Sequence, residues 1–174
     1  MSKQSKKQIK KKQVLEAGVE LIPDLYEEGG KPKKSKLQFI SFVLGNEWYG
    51  VEISKIKDVS ALSTITYLPC APLHIAGIVN LRGNIVSVTD LRKLLGLSPV
   101  PTTKESHILV IQAGEFETTI VVDRTPKAME IELSKIDPPL ETLDPSRAEY
   151  IVGVCKLKNI FFAILNVEKI LAFK

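Results

Sequence analysis

The chain has 174 residues, of which 44% are hydrophobic and 25% are charged, and this is the composition of an ordinary globular protein. The formal net charge of +4 is unevenly distributed. Residues 1–36 contain ten lysines against five acidic residues, whereas residues 37–174 contain fourteen basic against fifteen acidic residues. The excess positive charge therefore belongs to the amino-terminal segment, and it is not evidence for a basic domain that binds nucleic acid.

Residues 1–36 are expected to form a flexible, lysine-rich tail, because they combine high charge with the Gly and Pro of EEGGKPKKSK. Within this tail, VLEAGVELI (14–22) has the spacing of a short, transient amphipathic helix. No stretch has the apolar length of a signal-peptide core or of a membrane span. The two cysteines, Cys70 and Cys155, are expected to be reduced. Together these features predict a cytoplasmic protein.

From residue 37 onward, short β-rich segments alternate with turns, which predicts about ten strands and two or three short helices. Four hairpins are predicted, with their turns at Gly45–Asn46, Arg82–Gly83, Gly114 and Lys158–Asn159. Residues 53–60 fit either a helical turn or an irregular strand. The remaining predictions are strands at 63–68 and 127–132, helices at 90–96 and 166–171, a linker at 96–105, and a loop with little regular structure at 133–147.

The order of these elements repeats. Residues 77–95 align with residues 153–171 without a gap, so that Gly77 matches Gly153 and Asp90 matches Asn166. Glycine and asparagine tolerate the positive φ of a tight turn, whereas aspartate and asparagine are preferred helix N-caps. The repeat therefore predicts two copies of a five-stranded barrel that ends in a helix. The turn and cap residues are predicted to be Gly83, Asp90, Asn159 and Asn166.

No constellation of residues favours catalysis. His74 and His107 lie in unrelated segments, and no phosphate-binding glycine loop is present. Small barrels also bind single-stranded nucleic acid through surface aromatic residues, and a nucleic-acid-binding double barrel with a basic tail remains the alternative. Arg82 stands out because packing does not require it, and a guanidinium on a rigid turn is well suited to binding another protein.

Three segments together resemble the CheW family, the coupling proteins of bacterial chemotaxis. They are FVLGNEWYGVEI (42–53), GIVNLRGNIVSVTDLR (77–92) and GVCKL (153–157), and the likeness extends from Leu37 to Leu171. The resemblance implies an all-β fold with short helices, made of two intertwined SH3-like five-stranded barrels at roughly 37–97 and 105–174.

The resemblance also implies a function. CheW-like proteins have no catalytic activity and no cofactor or metal; they link methyl-accepting chemoreceptors to the regulatory domain of the histidine kinase CheA in membrane-associated receptor arrays. Carried over by motif, the receptor-binding residues are Arg82, Asp58, Ile53 and Ile56, with Asn80 of the same NLRG motif. An acidic and a basic residue that flank an apolar groove would suit an amphipathic receptor helix. The resemblance assigns no residues to the kinase contact.

Overall fold

The computed structural model describes residues 36–172, and in this part of the chain it contains eleven strands and three short helices. The predictions for the tail and its transient helix lie outside the described residues. The first half consists of β1 (Lys36–Leu44), β2 (Glu47–Glu52), β3 (Ile56–Ala61), β4 (Ile75–Leu81), β5 (Asn84–Thr89) and α1 (Leu91–Leu94). The second half consists of β6 (His107–Ala113), β7 (Phe116–Val122), β8 (Lys127–Glu132), β9 (Ile136–Asp137), α2 (Pro145–Ala148), β10 (Ile151–Leu157), β11 (Ile160–Leu165) and α3 (Val167–Leu171). Single 3-10 turns at Ile53–Lys55 and Leu133–Lys135 follow β2 and β8.

The strands form two sheets, one with six strands in the order β8-β1-β2-β11-β10-β9 and one with five in the order β3-β6-β7-β5-β4. Neighbouring strands are antiparallel except at two places, where β11 pairs with β2 and β5 pairs with β7 in parallel. The predicted fold class, an all-β chain of two small barrels with short helices, is confirmed.

The two sheets exchange hairpins between the repeats. The β1–β2 hairpin of the first repeat pairs with strands of the second, and the β6–β7 hairpin of the second repeat pairs with strands of the first. The parallel contacts Phe162↔Trp48 and Val88↔Thr119 connect the exchanged hairpins to their sheets. The barrels therefore interlock, and the boundaries 37–97 and 105–174 separate the two repeats but not the two sheets.

The matched glycines of the repeat occupy equivalent crowded positions. A Cβ atom on Gly77 would lie 2.2 Å from the carbonyl oxygen of Thr66, and one on Gly153 would lie 2.8 Å from the side chain of Ile136. In each repeat a short extended segment pairs with the strand at this point, through the Thr66↔Ile78 bridge in the first and the β9–β10 pairing in the second. Only a residue without a side chain permits so close an approach.

Two sequence predictions need correction. The strand predicted at 63–68 is reduced to the single bridge at Thr66, because no neighbouring segment extends the pairing. The region 133–147, predicted to be a loop with little regular structure, contains a 3-10 turn, β9 and α2. Asp144 caps α2, since its carboxylate accepts a 2.9 Å hydrogen bond from the backbone N–H of Ser146.

The main hydrophobic core lies between the two sheets. It includes Phe42 and Val51 from the six-stranded sheet and Leu109 and Ile120 from the five-stranded sheet, together with apolar residues of α1 and α3. A second cluster is formed by residues of the six-stranded sheet, namely Phe39, Ile131, Cys155, Phe162 and Ile164. Burial between the sheets gives the two barrels one shared interior, so they are expected to unfold together.

The helix caps occupy the positions that the repeat aligns. Asp90 accepts a 3.2 Å hydrogen bond from the backbone N–H of Arg92, and Asn166 accepts a 3.1 Å hydrogen bond from the backbone N–H of Lys169. We expect Asp90→Ala and Asn166→Ala each to lower the free energy of unfolding by about 1 kcal/mol, the usual cost of losing an N-cap. Urea denaturation measures this, and variants as stable as the parent would show that the caps do not contribute.

Candidate functional site

Arg82 lies at the tip of the tight turn between β4 and β5, where it adopts a left-handed conformation with φ 52°. Gly83 follows with φ 90°, so both central residues of the turn have positive φ. The side-chain oxygen of Asn80 accepts a 2.9 Å hydrogen bond from the backbone N–H of Gly83. This bond fixes the turn, which presents an Arg82 side chain that is 80% exposed.

The equivalent turn between β10 and β11 lies at Lys158–Asn159 as predicted, but the residue with positive φ is not the predicted one. The left-handed residue there is Lys158, with φ 54°, and Asn159 is not among the described residues with positive φ. The assignment of this backbone role to Asn159 is therefore corrected. The first residue of each turn, Arg82 or Lys158, adopts the left-handed conformation, so the two turns display a basic side chain at equivalent places.

Asp58 is the ion-pair partner of Arg82. The guanidinium Nη2 of Arg82 lies 3.5 Å from Oδ2 of Asp58, and the other carboxylate oxygen accepts a 2.9 Å hydrogen bond from the backbone N–H of Val59. Asp58 is on β3 and Arg82 follows β4, and these are the two outer strands of the five-stranded sheet. The pair thus links the two edge strands of this sheet. Because it is exposed, we expect it to contribute only about 0–1 kcal/mol to stability.

Ile53 and Ile56 lie at the two ends of the 3-10 turn that leads into β3. The backbone N–H of Ile56 donates to the carbonyl oxygen of Ile53. Ile53 is 41% exposed, whereas Ile56 is half-buried and packs against the core between the sheets. Ile56 is only two residues from Asp58 on the same strand, so Ile53, Ile56 and the acidic member of the ion pair lie in one continuous chain segment.

An ion pair tethers this segment to the second repeat. The ammonium group of Lys55 donates a hydrogen bond to the carboxylate of Glu168 on α3. Partial burial acts to raise the pKa of the Glu168 carboxyl, but hydrogen bonds from Lys55 and from its own backbone N–H outweigh it and hold the pKa below its usual value. The carboxylate is therefore charged at neutral pH, and the tether weakens only as the pH falls through that lowered pKa.

The structure thus brings four of the five predicted receptor-binding residues, Ile53, Ile56, Asp58 and Arg82, into one region, which we call the Arg82 surface. It differs from the expected arrangement in one respect. Arg82 and Asp58 contact each other instead of standing on separate sides of an apolar groove. Asn80 has a structural role, since its side-chain oxygen accepts a hydrogen bond from the backbone of the turn.

Two exposed apolar residues beside this turn were missed by the sequence analysis. Ile85 on β5 is 63% exposed and pairs across the hairpin with Asn80, while Phe116 on β7 is 61% exposed. The two strands run in parallel, and a 3.1 Å hydrogen bond joins Ser87 to Thr118, two residues further along each strand. Ile85 and Phe116 are therefore neighbours. Alternation along each strand could have indicated their exposure, but not that the strands are adjacent.

A buried ion pair connects the two sheets near α1. Arg92 is 8% exposed, and its guanidinium donates to the carboxylate of Asp123 at the end of β7. The same carboxylate accepts a 2.6 Å hydrogen bond from the backbone N–H of Gly45, in the β1–β2 turn of the other sheet. Burial lowers the pKa of the Arg92 guanidinium, although the nearby Asp90 acts to raise it. This cluster joins α1 and both sheets.

The exposed side chains of the described residues point to protein binding. In residues 36–172 no group of three or more His, Cys, Asp or Glu side chains is placed to hold a metal ion. Within the same range, no helix combines the length and apolar character that crossing a bilayer requires. Two interlocked barrels that display an exposed ion pair and large exposed apolar side chains define a class of protein, a β-barrel module suited to protein binding.

Comparison with known proteins gives the family. The model of the CheW-like domain matches residues 38–174. The chemotaxis protein CheW of Helicobacter pylori is 32% identical over 159 residues, covering 86% of this chain and 95% of its own. CheW of Klebsiella aerogenes is 30% identical over 135 residues, covering 78% of this chain and 81% of its own.

A solved structure agrees with these sequence matches. The crystal structure of the scaffolding protein TtCheW from Thermoanaerobacter tengcongensis superposes with a TM-score of 0.68 at 28% identity, over 77% of this chain and 86% of that one. This chain belongs to the CheW-like family. The predicted role of a chemotaxis adaptor is confirmed, and none of these comparisons supports the nucleic-acid-binding alternative.

Proposed function

We propose that this protein is a cytoplasmic, non-catalytic adaptor that binds the cytoplasmic tip of a methyl-accepting chemoreceptor and the regulatory domain of the histidine kinase CheA at the same time. The Arg82 surface binds the receptor. Other parts of the two barrels bind the kinase, and no cofactor takes part. In this mechanism, a change in the receptor reaches the kinase through simultaneous docking and not through a chemical step.

The observation that carries the proposal is the exposed pair of Arg82 and Asp58 on a hydrogen-bonded turn. The 80% exposure of the Arg82 side chain means that its donors are open to a partner. A guanidinium offers five N–H donors in a fixed plane, so it can bind carboxylates or carbonyl oxygens of a partner helix. Asp58 can accept from basic residues of the same helix.

Apolar side chains beside the ion pair supply the other part of a helix-binding surface. Ile53 and Ile85 are 41% and 63% exposed, so they can bury area against the apolar stripe of an amphipathic helix. The apolar face of a receptor helix would contact these isoleucines, and its charged edge would contact the Arg82–Asp58 pair. Such a combination of central apolar contact and charged rim favours specificity over raw affinity.

Binding measurements with the full chain test the proposal. We expect the protein to bind a receptor cytoplasmic fragment and a CheA regulatory fragment separately, and to form a ternary complex when both are present. Failure to bind either fragment would contradict the adaptor function. RNA binding that weakens steeply with salt, in the absence of kinase binding, would support the nucleic-acid alternative instead.

A further inference from the structure

The turn between β10 and β11 carries a second exposed surface, separate from the Arg82 surface. Phe161 and Ile160 are 61% and 43% exposed. In the repeat, Phe161 aligns with Ile85, and Lys158 aligns with Arg82. We call the group of Lys156, Lys158, Ile160 and Phe161 the Phe161 surface.

The charge of this surface differs from that of its counterpart. The ammonium group of Lys156 lies 5.7 Å from the centre of the Phe161 ring, in the range of a cation–π contact. Residues 156–161 contain two lysines and no acidic residue. Strand pairing places Glu47 beside Phe161, but its carboxylate already accepts hydrogen bonds from Arg147 and from the hydroxyl of Tyr49. The Phe161 surface is thus apolar and basic, which favours an acidic, apolar ligand.

The chain itself contains a segment of this chemistry. Residues 13–30, QVLEAGVELIPDLYEEGG, hold all five acidic residues of the amino-terminal 36 and no lysine or arginine. The acidic residues alternate with large apolar ones, among them Leu15, Val19 and Ile22. This acidic apolar segment lies between two lysine-rich blocks, and it is the only part of the first 36 residues with a net negative charge.

The segment is connected closely enough to reach the Phe161 surface. The chain enters the fold at Lys36, at the start of β1. Strand β2 is antiparallel to β1 and parallel to β11. The start of β11, where Phe161 lies, is therefore close to the far end of β1. The nine residues of β1 span roughly 30 Å. An extended link from Ile22 to Lys36 covers up to about 46 Å, so it can bridge this distance.

We infer that residues 13–30 bind to the Phe161 surface of the same chain. The carboxylates lie against Lys156 and Lys158, and the apolar residues cover Phe161 and Ile160. The inference rests on the second repeat and is independent of the receptor-binding role of the Arg82 surface.

Paramagnetic relaxation in the full chain tests the inference. A nitroxide is attached to Gly18→Cys in a Cys70→Ser background, since Cys70 is exposed and Cys155 is buried. We expect the amide signals of residues 156–161 to lose most of their intensity, while those of the Arg82 turn keep theirs. An equal loss of amide signal over the whole protein, or a loss confined to residues 82–85, would overturn the inference.

Two controls make the result specific. Adding Lys158→Glu and Phe161→Ala should restore the signals of the remaining residues of the turn, and these exposed side chains can be replaced without loss of the fold. A mixture of isotope-labelled chain without nitroxide and unlabelled chain with nitroxide separates the sources. Loss of signal in the mixture would mean that the segment of one chain binds a second copy, which contradicts binding within one chain.

Discussion

Replacing Arg82 by Asp is expected to weaken receptor binding by about 1–3 kcal/mol, or roughly 5-fold to more than 100-fold in Kd. The change removes the donors of the guanidinium and places a second carboxylate beside Asp58, which lies 3.5 Å from the present side chain. The fold should persist, because the side chain is 80% exposed. Titration of the receptor cytoplasmic fragment measures the affinity, and circular dichroism checks the fold.

The repeat provides a matched control for this variant. Lys158→Asp makes the same reversal of charge at the equivalent turn, where Lys158 has φ 54° against 52° for Arg82. Any cost of placing Asp in a left-handed conformation is therefore shared by the two variants. We expect Lys158→Asp to bind the receptor like the parent. Equal receptor affinity of the Arg82→Asp variant and the parent would count against the Arg82 surface.

Replacing Asp123 by Ala should have the largest effect on stability, a loss of about 3–5 kcal/mol in the free energy of unfolding. Arg92 is 8% exposed, so its guanidinium would stay buried without its ion-pair partner. The backbone N–H of Gly45 would also lose its 2.6 Å hydrogen bond, in a turn that belongs to the other sheet. Guanidinium chloride denaturation with two-state analysis measures the loss.

The chain offers an exposed ion pair as a comparison. Lys36 and Glu130 lie 3.5 Å apart with side chains that are 57% and 52% exposed, so Glu130→Ala should cost no more than about 1 kcal/mol. Replacing Arg92 and Asp123 together by leucine should recover much of the lost stability, because no unpaired charge remains. If Asp123→Ala were as mild as Glu130→Ala, the buried pair would not join the sheets in the way described.

The repeat could be predicted from sequence because its crowded and capped positions need particular residues. Gly77 and Gly153 leave space for a neighbouring extended segment, and Asp90 and Asn166 accept hydrogen bonds at helix starts. The exchange of hairpins could not be predicted from the residue pattern, and only the family resemblance implied that the barrels are intertwined. A hairpin with one buried face has the same alternation of apolar and polar residues whichever sheet it joins. The residue pattern of neither strand indicates the parallel contact at Phe162↔Trp48.

Only part of the candidate site could be predicted from sequence, for a similar reason. The turn sequence at Arg82 and Gly83 indicates a tight hairpin, so the exposure of Arg82 follows from local structure. Its contact with Asp58 depends on the curvature of the sheet, which brings together two edge strands that do not pair with each other. Asn159 illustrates the limit of residue preferences, since the neighbouring Lys158 adopts the left-handed conformation in its place.

The most direct test of the adaptor function is reconstitution. Purified CheA and receptor in membranes are assayed for kinase activity with and without this protein, at several receptor ligand concentrations. We expect kinase activity to depend on the receptor ligand only when the protein is present, and Arg82→Asp to abolish most of that dependence. Kinase activity that ignores the receptor in the presence of the protein would contradict the function proposed here.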